Sequence, residues 1–169
     1  MALTVGTNSY VTVAEADAYF GDRLNADSWT SASVAIKEQA LVTATRFVDE
    51  RSWIGQAVSS SQKLGWPRNG ATYLDPKLGV QISVPNDEVP ERVKSAVFEQ
   101  ALHFINNGAV LGSSSNVYES ITVGSISLTD ANSKSKVSKT ASSVISLVGP
   151  LVRFGSNGSG GGNTWWRAW

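Results

Sequence analysis

The chain has 169 residues, 41% of them apolar and 17% charged, and its basic and acidic side chains balance to zero net charge at neutral pH. Such a chain suits one globular domain with appendages. No apolar run approaches the roughly 20 residues that cross a bilayer, Met1–Tyr10 has neither the basic start nor the apolar middle of a secretion signal, and the lack of cysteine removes disulfides, thiolate nucleophiles and cysteine-ligated metal sites.

The first helix is announced by Thr12 and Glu15, the spacing of a capping box. Val13, Ala16, Tyr19 and Phe20 then recur at helical steps until Gly21. A linker with Asp27, Ser28 and Trp29 leads to a long pattern over about 33–51, with Ile36, Ala40, Ala44, Phe47 and Val48 on one face and Val34, Leu41 and Val48 at heptad spacing beside it. Ser59 and Gln62 repeat the capping-box spacing, but Gly65 and Pro67 stop that helix almost at once. Residues 65–85 read as an irregular loop pinned by Trp66, Tyr73, Leu74 and Ile82. Asp87, Glu88 and Pro90 open a third helix that Gly108 closes, and its broad apolar stripe, Val93 to Ile105, predicts burial between other helices.

Past Gly112-Ser-Ser-Ser-Asn116 the pattern changes. Ile121, Val123, Ile126 and Leu128 alternate with polar residues around Gly124-Ser125, which predicts a β-hairpin with an apolar face. A lone hairpin is marginal in water, so a neighbouring subunit is the expected cover. Residues 130–139, with Lys134, Lys136 and Lys139, are a polar loop, and a last helix through Val144, Leu147 and Leu151 is divided at Gly149-Pro150. A glycine-rich linker, 155–162, precedes Trp165, Trp166, Arg167 and Trp169. The expected organisation is a helical bundle at 1–111, a hairpin arm and polar loop at 112–139, a C-terminal helix at 140–154 and a docking tail at 155–169. The fold class is mainly α: a small bundle with a β-hairpin arm and an extended tail.

Chemistry is hard to find. His103 sits in mid-helix as a packed or surface residue, no nucleophile elbow is present, and the pairs Asp49-Glu50 and Asp87-Glu88 fit helix ends better than cation sites. No enzyme activity, cofactor or metal is expected. Trp66-Pro67-Arg68 offers two readings, an indole and guanidinium that stack a base or a tryptophan that closes the end of the bundle. In the first, Trp66, Arg68, Lys134 and Lys136 would contact nucleic acid. Charge argues against it: residues 1–111 hold 9 Lys/Arg against 12 Asp/Glu, and 112–169 hold 5 against 2, so the bundle lacks the basic excess that phosphate binding favours. Indole and guanidinium groups concentrate binding energy at interfaces, so the tail either anchors on another molecule or folds back onto its own domain.

Tyr10-Val-Thr-Val-Ala-Glu-Ala-Asp-Ala-Tyr-Phe20, Ala44-Thr45-Arg46, Gln62-Lys-Leu-Gly-Trp-Pro-Arg68 and Val89-Pro90 resemble phage proteins labelled DnaT-like single-stranded-DNA-binding proteins. The order of bundle, Glu119–Leu128 hairpin and short apolar helix also resembles the head-to-tail adaptor family of tailed phages. That second resemblance implies a virion protein of the neck, made in the bacterial cytoplasm. It would form a homo-oligomeric ring, typically twelve-fold, beneath the portal, with a further neck or tail protein below and genomic DNA passing through without sequence-specific contact. In that reading Trp165, Trp166, Arg167 and Trp169 dock on the portal, Ile121, Val123, Ile126 and Leu128 join neighbouring subunits, and no membrane is involved. A single-stranded-DNA-binding module is the alternative.

Overall fold

A computed structural model describes residues 2–107, strands 120–123 and 126–129, and residues 140–153. Helix α1 (Val13–Gly21) starts in the expected capping box, in which Thr12 Oγ1 accepts from the Glu15 N–H and the Glu15 carboxylate accepts from the Thr12 N–H. A short α2 (Asp27–Thr30) occupies what the sequence presents as linker, and it buries Trp29. Helix α3 (Val34–Asp49) is capped by Ser33 Oγ. Helix α4 (Glu91–Asn107) and α5 (Ser142–Val148), which runs into a tight turn at Gly149–Leu151, complete the bundle.

Helix α4 is the hub, packed against α3, α5 and α2. Val93, Ala96, Val97, Ala101 and Phe104 are buried along it, as its broad apolar stripe requires. Tyr19, Phe20, Trp29 and Phe98 form an aromatic cluster, with Phe20 to Trp29 and Tyr19 to Phe98 both at 4.9 Å between ring centres. The buried Glu99 is compensated three ways: Arg23 pairs with it, Tyr19 Oη donates at 2.7 Å and Ser143 Oγ donates at 3.3 Å. The heptad face of α3 is covered only in part. Leu41 and Val48 are fully buried, whereas Val34 is exposed, as is Ile36 on the neighbouring face, since no described residue covers the first turn of α3.

Residues 51–85 differ most from expectation. The Ser59/Gln62 pair forms only a turn, Gln62 Oε1 accepting from the Ser59 N–H at 3.1 Å, and no helix follows. In place of an irregular loop there are two short antiparallel pairs, β1 (Gln56–Ala57) with β2 (Arg68–Asn69) and β3 (Thr72–Leu74) with β4 (Gln81–Ser83). Two- and three-residue strands leave too little length for period-two alternation to register in sequence. Of the four expected pins, Trp66 is buried and Tyr73 and Ile82 are half-buried, but Leu74 is exposed.

Strands β5 (Ser120–Val123) and β6 (Ile126–Thr129) form the expected hairpin. Its register pairs Ile121 with Leu128 and Val123 with Ile126, and between them Thr122 with Ser127. Alternation therefore places Ile121, Val123, Ile126 and Leu128 at positions of one face. Lys134, Lys136, Trp165, Trp166, Arg167 and Trp169 lie outside the described residues.

A candidate nucleic-acid interface

The segment from Gln62 to Arg68 is set by a buried relay between distant parts of the chain. Tyr10 donates its hydroxyl proton to Asp49 at the end of α3, and the same Asp49 Oδ1 accepts from the Gly65 N–H at 2.8 Å. Tyr10 Oη in turn accepts from the Trp66 N–H at 3.1 Å. Burial first, and then the bond to Asp49, push the Tyr10 phenol far above its usual value, which favours the protonated hydroxyl that donates to Asp49. Gly65 has no room for a side chain: a β-carbon there would meet Asp49 Oδ1 at 2.7 Å and Trp53 Cδ1 at 2.8 Å.

This relay decides the fate of Trp66. The indole is 2% exposed and packs edge-on against Trp53, with ring centres 5.8 Å apart. It presents no face on which a base could stack, so of the two readings of Trp66 the alternative, a nucleic-acid contact, falls and the residue is core. The helix-bundle-closing reading of that tryptophan is the one the packing supports.

Arg68 is different. Its guanidinium is half-buried and held by three backbone carbonyls, Nε to Ile54 O at 2.6 Å, Nη1 to Gly65 O at 3.0 Å and Nη2 to Gly55 O at 2.9 Å. A guanidinium has five N–H donors, which leaves one uncommitted on each Nη. The Gly55 carbonyl also accepts from Arg153 Nη2 at 3.4 Å. Arg153 is brought there by a short antiparallel pairing in which Ile54 N donates to Leu151 O at 3.0 Å and Arg153 N donates to Ser52 O at 2.6 Å, around a bridge between Trp53 and Val152. Two cationic side chains, 85 positions apart in sequence, thus converge on one oxygen. Burial, and after it the neighbouring Arg153 charge, pull the Arg68 pKa below its ordinary value, while Tyr10 and Asp49 act in the opposite direction. Gly55 makes the arrangement possible: its φ of +71° suits glycine, and a β-carbon would lie 2.7 Å from Asn69 O.

Four other described cations are neutralised by a carboxylate, whereas Arg46, Arg51, Lys63 and Lys77 have no ion pair among the described residues. Arg23 pairs with Glu99, Lys37 with Asp17 at 2.8 Å, Arg92 with Asp75 at 3.4 Å and Lys94 with Glu91 at 2.9 Å. Neither Arg68 nor Arg153 has an ion-pair partner among the described residues. His103 is half-buried on α4 beside Asn107, and no acidic or histidine cluster that could hold a metal occurs among the described residues.

Sequence reasoning singled out Arg68 and missed Arg153. A usable signal was present. Residues 51–74 contain Arg51, Lys63 and Arg68 but no Asp or Glu, and residues 131–169 contain Lys134, Lys136, Lys139, Arg153 and Arg167 with none either. Dividing the chain at residue 111 averages the first of these stretches with the acidic helices around it. The fold brings residues 151–153 of the second stretch against residues 52–55 of the first.

No curated protein and no solved structure matches the chain. A family model described as "Putative DnaT-like ssDNA binding protein" matches residues 2–167. This match overturns the expected function as a neck adaptor beneath a portal and favours the alternative, a module for single-stranded DNA. The adaptor reading leaned on a charge count split at residue 111, which conceals the basic stretch at 51–74, and on an order of elements that many small helical proteins share. Matched over nearly its whole length, the chain belongs to the DnaT-like single-stranded-DNA-binding protein family.

Proposed function

We propose that the protein is a non-catalytic module that binds single-stranded DNA. The observation that carries the proposal is the family match across residues 2–167. The charge layout supports it. Sequence-tolerant binding of a single strand needs cations that track the backbone and aromatic groups on which bases stack. Acid-free residues 51–74 and 131–169 supply the cations, and Trp165, Trp166 and Trp169 supply indoles in the same C-terminal stretch. Trp66 contributes to the fold and not to the contact.

Zero net charge sets the expected strength. Long-range attraction to DNA is weak, so affinity rests on a few local phosphate contacts and on stacking, and it falls with salt less steeply than for a strongly basic protein. A fluorescence-anisotropy titration of labelled oligothymidylate with the full-length protein should show a saturable complex at roughly 50 mM salt that weakens as salt rises. No anisotropy change with the protein at tens of micromolar would contradict the proposal.

A further inference from the structure

We infer that the Arg68–Arg153 pair at the Gly55 carbonyl is a phosphate site, holding one phosphodiester oxyanion of the bound strand. The site is assigned on geometry; naming DNA as the source of the phosphate rests on the proposed function above.

Two full positive charges meet there over a carbonyl that carries only a partial negative one. Such an arrangement is incomplete electrostatically, and an oxyanion between the guanidiniums would relieve the repulsion. Arg68 is fixed by three carbonyls, so its remaining N–H groups on Nη1 and Nη2 are oriented before a ligand arrives. Arg153 is exposed and has one bond to the carbonyl, so its guanidinium can turn toward an anion. The carboxylate acting on Arg68 is Asp49, which already accepts from Tyr10 and from the Gly65 N–H. Flanking exposed positions are uncharged: Gln56 and Asn69 pair across β1 and β2, and Ala57, Val58 and Ser59 to Ser61 follow. Guanidiniums recognise phosphate through paired N–H groups, and such contacts position a nucleic acid without reading its sequence.

The test uses the full-length protein, Arg153→Gln, and Lys94→Gln as a control that removes a like charge already neutralised by Glu91. Oligothymidylate affinity is measured against salt. Arg153→Gln should bind several-fold more weakly, with a salt slope smaller by about 0.7, the loss of one single-strand phosphate contact; Lys94→Gln should match wild type. In parallel, inorganic phosphate should raise the melting temperature of wild type relative to chloride at equal ionic strength, and should not do so for Arg153→Gln. If wild type binds DNA and Arg153→Gln does so with unchanged affinity and slope, the site is wrong and the DNA-binding reading stands. If wild type binds no DNA, that reading fails and the phosphate arm decides: an Arg153-dependent stabilisation upholds the anion site, and its absence overturns it.

Discussion

Replacing Trp66 by alanine should destabilise the protein by about 3–5 kcal/mol, the range for emptying a large aromatic site in a packed core. That is a large part of the roughly 5–15 kcal/mol that holds a typical domain together. The indole is 2% exposed, lies against Trp53 and is flanked by the Tyr10–Asp49–Gly65 relay, so the cavity could not collapse without moving α3. Trp66→Phe should be much milder. The Trp66 Nε1 is buried without an acceptor among the described residues, so phenylalanine removes volume but no hydrogen bond. Urea denaturation should therefore rank wild type, then Trp66→Phe, then Trp66→Ala, with oligonucleotide affinity tracking the folded fraction. A Trp66→Ala protein as stable as wild type but unable to bind DNA would return this residue to the interface.

Deleting residues 163–169 should have the larger effect on binding and little effect on stability. The segment holds three of the six tryptophans and Arg167. One base stacked on an aromatic side chain contributes about 1–3 kcal/mol. Loss of a single stack therefore lowers affinity by roughly 5- to 150-fold, and loss of more than one lowers it further. The measurement is an anisotropy titration of the truncated protein beside a urea midpoint. Undiminished affinity would show that these indoles are not the stacking surface and that binding rests on the phosphate contacts.

The elements that could be read in the sequence are those whose signals are local. Thr12 and Glu15 cap α1, the apolar periodicity over about 33–51 marks α3, and the stripe from Val93 to Phe104 is buried on α4 as its breadth demands. The β5–β6 hairpin follows from alternation around Gly124-Ser125. Helix α2 escaped because one turn of helix around Trp29 leaves no periodicity to detect, and β1 to β4 escaped for the same reason. Trp66-Pro67-Arg68 shows the limit most clearly. The tripeptide is compatible with an exposed stacking platform or a buried plug, and the choice is made by Tyr10, 56 positions earlier, which accepts the Trp66 N–H. Arg153 joins Arg68 only because the chain returns after α5 to pair with residues 52–54. The segregation of charge into acid-free stretches was legible, but only when counted along the chain and not by halves.

Competition between single-stranded and duplex DNA separates recognition of an unpaired strand from attraction to charge alone. Labelled oligothymidylate is first bound by the full-length protein and then challenged with unlabelled single strand or with duplex of the same length. A module that engages phosphates through Arg68 and Arg153 and stacks unpaired bases on its C-terminal indoles should release the label to single strand at much lower concentration than to duplex, whose bases are already stacked on one another. Equal displacement by both would reduce the interaction to charge alone and contradict single-strand recognition.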